Sequence, residues 1–173
     1  KFSKKYNYKY WILRYFNVAG ASSSGKIGEI NASHGHLIKN IAIQSLQKKP
    51  VISIYGNSYK TKDGTCIRDY IHVSDLANIH IQTLKYIKFN SKSLILNCGY
   101  GKGYSVLDIA KIIKKNMKDT VIKYEPKRVG DVAQIFSDTK KFNKIIKWRP
   151  KQNSIKKIIK SAIAWEKSLK KYI

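Results

Sequence analysis

Short apolar runs alternate with longer stretches of helical period along the 173 residues. WILRYFN (residues 11–17) reads as a buried strand entering a Gly/Ser-rich loop, AGASSSGKIGEINASHGH. LIKNIAIQSLQKK (37–49) spaces its apolar positions as an amphipathic helix and stops before Pro50. VISIY (51–55) is a strand, and GNSYKTKDG is a turn-rich link. TCIRDYIHV (65–73) predicts a further strand, with Ser74 able to cap the helix DLANIHIQTLKYIKF behind it. SLILNCG is another strand and YGKGY a loop. SVLDIAKIIKKN then opens with Ser105 and Asp108 in capping-box spacing. VIKYE (121–125) is a short strand, KRVGDVAQIFSD a loop, and TKKFNKIIKW and SIKKIIKSAIAWEKSLKKY are closing helices. Strands alternating with helices, without repeat or long linker, predict an α/β fold.

The strand TCIRDYIHV concentrates unusual chemistry. Side chains alternate across a strand, so Ile67, Asp69, Ile71 and Val73 share one face, while Cys66, Arg68, Tyr70 and His72 share the other. The first is the expected core side. The second lines up a guanidinium, a phenol and an imidazole, as a cleft for an anionic aromatic ligand requires. A planar guanidinium fork binds phosphate oxygens in pairs, which a lysine ammonium cannot do. A surface ion pair of Arg68 with Asp69 or Asp63 fits the same spacing, and spacing alone leaves both readings open. In KRVGDVAQ, Arg128 and Asp131 stand three apart, as a second anion clamp or as a surface loop pair.

Composition narrows the classes. The chain is long enough for one domain that buries about 70% of its unfolded surface. The formal net charge of +25 invites a polyanion partner. Yet only four of the 35 basic residues are arginine (14, 68, 128 and 149), and the lysines spread over the whole chain. That distribution fits solvated helix faces and argues against a nucleic-acid groove. No apolar run approaches the 18 residues of a membrane span. Cys66 and Cys98 have neither zinc-site nor disulfide-framework spacing, so a reducing, cytoplasmic setting is expected. His34, His36, His72 and His80 form no metal-ligand pattern. His80 reads as structural, while His34 and His36 lie in a loop suited to ligand contact. The turn GYGKG follows a strand, but Tyr104 occupies the third glycine position of a dinucleotide turn. A plain strand-to-helix turn is expected there. Residue 1 is Lys and the one methionine is Met117, which suggests a processed product, a fragment or a truncated reading frame.

Several stretches together resemble the C-terminal half of the UDP-glucose 4-epimerase family, in the extended short-chain dehydrogenase/reductase superfamily. They are LRYFNVAGA, YGNSYKTKDGTCIRDYIHVSDL, NCGYGKGYSVLDI, KRVGDVAQIFSDTKK and the closing tryptophan, proline and AWE pattern, in order over essentially the whole chain. The resemblance implies an NAD(P)-binding, Rossmann-like extended fold, of which residues 1–173 supply mainly the mixed α/β substrate-binding subdomain. It implies a diphosphate grip for Arg68 and Arg128, with Asp131 near the ribose. Asn17 and Tyr70 would contact the sugar nucleotide, with Phe16 toward the nicotinamide of NAD. His36 and Leu37 fall where a loop meets the nucleotide. Ser53, Ile54 and Tyr55 would flank the uracil, and Ile135 stands where room for an N-acetyl group is set.

The family interconverts UDP-glucose and UDP-galactose through an NAD-bound 4-keto intermediate, using a glycine-rich turn and a Tyr-x-x-x-Lys pair. Neither motif occurs here: no tyrosine has Lys four positions later. The expectation is a UDP-sugar-binding portion with the NAD-binding portion absent, inactive alone. Completion by a separate N-terminal half, or by a homodimer partner, is one alternative. A non-enzymatic basic remnant adhering to nucleic acid is another. The strand WILRYFN should lie at the edge of a sheet lacking its central strands, which implies marginal stability or association.

Overall fold

The structure is a computed structural model that describes residues 2–30, 36–89 and 92–169. Its elements are α1 (Phe2–Tyr6), β1 (Trp11–Tyr15), β2 (Asn17–Ala19), α2 (Leu37–Gln44), β3 (Val51–Tyr55), β4 (Ile67–His72) and α3 (Val73–Phe89). There follow β5 (Leu94–Cys98), β6 (Gly103–Ser105), α4 (Val106–Asn116), β7 (Val121–Glu125), β8 (Gln134–Ile135), α5 (Lys140–Ile145) and α6 (Ile155–Leu169). The alternation expected from the sequence is present, and most strand pairs are parallel.

The run 11–17 is two strands rather than one. β1 pairs in parallel with β5, from Trp11 opposite Leu94 to Tyr15 opposite Cys98. After Phe16 the chain changes neighbours, and β2 pairs in parallel with β4, Asn17 opposite Tyr70. One apolar run therefore bridges two sheets, and Phe16 and Asn17 lie at the crossing. The short strands β6 and β8 flank β4, with Arg68 opposite Tyr104 on one side and Ile135 on the other. Neither was expected, because two or three residues carry no period. The outer edge of β1 has no partner strand among the described residues, and Ile12 and Tyr15 are exposed there.

β4 divides two cores, so the expectation of one core face and one open face is corrected. Ile71 packs with Leu76, Ile79, Leu96, Cys98, Phe142 and Ile146. Tyr70, on the other face, packs with Ile38 and Ile41 of α2, Ile54 of β3, Ile109 of α4 and Ile158 of α6. His72 is also buried. Its Nδ1 accepts from the Ser74 N–H at 3.1 Å, so α3 starts at Val73 under a histidine cap and not after Ser74. Helix α2 ends five residues earlier than its apolar period suggests. The Ser45 hydroxyl turns back to donate to the Ile41 carbonyl at 2.7 Å, competing with helix continuation. Among the described residues, no helix is long and apolar enough to cross a membrane.

The capping box of α4 forms as expected. Ser105 Oγ accepts from Asp108 N at 2.9 Å and donates to Asp63 Oδ2 at 2.5 Å. Asp63 Oδ1 accepts from both the N–H and the hydroxyl of Thr65. Burial works to raise the Asp63 carboxyl, but these bonds and the charge of Lys111 outweigh it, so it titrates below its ordinary 3.8. A depressed carboxyl stabilises the fold above its unfolded value and loses that contribution as pH falls through the folded one. Asp63→Asn is therefore expected to lower the urea midpoint at pH 7, with the gap from wild type closing below the ordinary carboxylate range. A gap of equal size at acid pH would show that the carboxylate charge contributes nothing.

Candidate functional site

A cavity of about 430 Å³ opens between the start of α2, the strand β3, the strand β4 and the loop after β7. Arg68 enters from β4, and Arg128 and Asp131 from the loop. Asn17, His36, Leu37, Ser53, Tyr55 and Tyr70 complete the part expected from the sequence. An adjoining shallow cavity of about 490 Å³ shares Asn17 and Arg68 with the first and adds Arg14, Tyr15, Phe16, Asn97 and Ile135. The two form one trough with Arg68 at the junction. The guanidinium-bearing segments 68 and 128, far apart in sequence, thus face a common space.

The partner of Arg68 is neither Asp69 nor Asp63. Its Nη2 reaches Asp131 Oδ1 at 3.4 Å, and its Nη1 donates to the carbonyls of Val132 at 2.8 Å and Ile67 at 2.9 Å. Three of the five guanidinium protons are thereby engaged; Nε–H and one Nη2–H have no acceptor among the described residues. Those two donors remain for an anion. Arg128 lies over the Tyr55 ring, Cζ 3.7 Å from the centroid, and Tyr55 is 38% exposed. A cation and an accessible aromatic face so close together suit a phosphate beside a planar base.

Not every expected residue faces the trough. Ile54 is turned into the core at 1% exposure, because β3 alternates and its neighbours Ser53 and Tyr55 take the cavity side. Tyr70 floors the cavity while packed into the core, and burial drives its phenol well above the ordinary range despite Arg68 nearby. His72 is absent from the cavity. Its Nδ1 accepts from Ser74, so the proton sits on Nε2, which faces Ser161 Oγ at 3.1 Å. A histidine protonated toward the serine cannot take that serine's proton, and burial lowers its pKa further. His34 lies outside the described residues. Asn40 and Gln44 of α2 also line the cavity without having been singled out, as does Cys66, just before β4, which the sequence had placed on the cleft face without a role. The spacing 37, 40, 41, 44 on one helix face was the available signal for α2.

The GYGKG turn is not a phosphate cradle. The N–H groups of Tyr100 and Gly101 already donate to the Asp69 carboxylate, at 3.3 and 3.0 Å. A dinucleotide pyrophosphate would need those donors free.

Residues 1–99 match the NAD dependent epimerase/dehydratase family. The chain belongs to that family, and its mixed α/β architecture is the family's Rossmann-like, extended short-chain dehydrogenase/reductase fold. Within it, the resemblance is to UDP-glucose 4-epimerases. The enzyme of Azospirillum brasilense is 39% identical over 163 residues, 94% of this chain and 47% of that protein. The crystal structure of a UDP-glucose 4-epimerase from Stenotrophomonas maltophila, with bound NAD and formylated UDP-arabinopyranose, superposes with a TM-score of 0.90. It is 29% identical and covers 99% of this chain and 51% of its own. The Bifidobacterium longum enzyme in complex with NAD+ and UDP gives 0.83 at 32% identity, covering 93% and 48%. The chain spans about half the length of the curated relatives it matches. The family is NAD dependent, and the GYGKG turn, with its N–H groups taken by Asp69, supplies no dinucleotide cradle for it. Phe16, on the shallow cavity, is the one residue assigned to that cofactor from sequence.

Proposed function

We propose that this chain carries the UDP-sugar-binding portion of a UDP-glucose 4-epimerase, with Arg68 and Arg128 gripping the diphosphate. The observation that carries this reading is the convergence of both guanidinium groups and Asp131 on one cavity. Uracil stacks near Tyr55, flanked by Ser53 and approached by His36 and Leu37. Asp131 accepts from a ribose hydroxyl, and Asn17 passes the ligand to the shallow end of the trough. There Ile135 limits the sugar and Phe16 meets the nicotinamide side. NAD, when bound, supplies the hydride acceptor for oxidation at the sugar 4-position. The residues present bind and orient, and no Tyr-x-x-x-Lys pair is among them. These 173 residues alone are expected to show no turnover, in a cytoplasmic setting.

Calorimetric titration at moderate salt tests the grip. UDP is expected to bind more than about tenfold tighter than uridine, which lacks the diphosphate. Equal affinities would remove the diphosphate assignment, and salt-sensitive binding of arbitrary DNA with no response to UDP would favour the nucleic-acid reading.

One observation favours completion by an N-terminal half. The outer edge of β1 is unpaired among the described residues, and it adjoins an open apolar surface of Tyr15, Phe16, Val18, Ile27, Val73 and Ile81. A half bearing the glycine turn and the Tyr-x-x-x-Lys pair would add a strand there, whether on the same or a second chain.

A further inference from the structure

Asp69 adjoins Arg68 in β4 and is completely buried. A carboxylate in that position normally needs a cation to offset its lost hydration. Among the described residues none pairs with it, because Arg68 engages Asp131 and two carbonyls instead. Four hydrogen bonds replace the cation. Oδ1 accepts from Tyr100 N at 3.3 Å. Oδ2 accepts from Gly101 N at 3.0 Å, from Ser137 N at 3.2 Å and from Ser137 Oγ at 2.5 Å. Gly101 N also donates to Ser137 Oγ at 3.1 Å, closing the cluster.

A carboxylate oxygen suits this place because it meets three donors while carrying no proton of its own. The space is equally specific. A Cβ on Gly99 would stand 2.5 Å from Asp69 Oδ2 and 2.3 Å from Ser137 Oγ, so a side chain there would force the cluster apart.

The joined segments explain what the cluster holds. Ser137 ends the stretch that bears Arg128, Asp131 and Ile135, which is otherwise held to β4 by Arg68 on Asp131 and Val132, by the Ile67 N–H on the Ala133 carbonyl and by β8. β8 is two residues long. Val129 and Val132 are exposed, and a Cβ on Gly130 would meet nothing within 4 Å.

We propose that Asp69 is a positioning residue for the diphosphate site: by tying Ser137 to β4 it sets where the 128–135 stretch meets Arg68. The proposal rests on reading the trough as a UDP-sugar site. It assigns the two neighbours in β4 separate tasks, Arg68 to the ligand and Asp69 to the loop that completes the grip.

The test compares Asp69→Asn and Ser137→Ala with Asp75→Asn in the full 173-residue chain. Asp75 is a buried carboxylate of the same kind, accepting from Tyr100 Oη, Lys151 N and Gln152 N, and it does not line the trough. Amide hydrogen exchange without ligand, UDP affinity and Tm are measured for each. Both test variants are expected to exchange faster over residues 128–135 and to weaken UDP binding by about tenfold. Asp75→Asn is expected to lower Tm while holding UDP affinity within about twofold. If Asp69→Asn does not fold, Ser137→Ala decides alone. Folded variants with a lowered Tm but wild-type affinity and unchanged exchange over 128–135 would overturn the proposal. Should wild type itself not bind UDP, the reading of the trough falls. The exchange data then decide the positioning claim, faster exchange upholding it and unchanged exchange ending it.

Discussion

Arg68→Ala is expected to weaken UDP binding by about 10- to 150-fold, the equivalent of a charge-assisted hydrogen bond of about 1.5–3 kcal/mol. The loss has two sources. The substitution removes the free Nε–H and Nη2–H donors, and it removes the brace that holds Val132 and Asp131 against β4. Arg68→Lys separates them, since lysine keeps the charge without the fork and should fall between wild type and alanine. Arg128→Ala should weaken binding as well, but its present contact is with the Tyr55 ring and not with the loop backbone. Its effect should therefore appear with little change in Tm. Calorimetry at two salt concentrations checks both variants. If wild type, Arg68→Ala and Arg128→Ala titrate alike, neither guanidinium grips the ligand.

The largest expected change in stability comes from a different pair. Lys39 of α2 and Glu166 of α6 form an ion pair with both side chains under 10% exposed. Lys39 Nζ also donates to the Glu29 carbonyl at 2.6 Å, and Trp165 Nε1 donates to the same oxygen at 2.9 Å. Together they pin the loop after β2 across the two helices. Removing one partner of a buried pair leaves the other charged and unpaired, at about 3–5 kcal/mol. For a chain of this size, Glu166→Gln should lower Tm by roughly 6–20 °C. Replacing both, as Lys39→Met with Glu166→Leu, removes the stranded charge and should recover most of the loss. A single variant that melts within about 1 °C of wild type would show that the pair is not buried in solution.

Local rules act over a few residues, and what they govern was legible from the chain. The capping box at Ser105 and Asp108, the strand VISIY and the helical stretches of α3, α4 and α6 follow from spacing alone. The family resemblance was legible too, because its motifs are contiguous. Packing decided the rest. Nothing within TCIRDYIHV says that both of its faces are covered, so His72 was read as facing a cleft that it does not line, and Tyr70, which does floor the cavity, is also packed into the core. The identity of Arg68's partner depended on a chain return of 63 residues, which places Asp131 and the two-residue β8 beside β4. Asp69 was read as one member of an apolar face, yet it gathers donors from two distant segments, at 100–101 and at 137.

By itself the sequence determined which residues could bind an anion, where the longer strands and helices run and which family they belong to. Only the tertiary structure decided which guanidinium, carboxylate and backbone groups share one trough. Hydrogen-bonding capacity belongs to a residue type, while its use depends on which distant segments are packed against it.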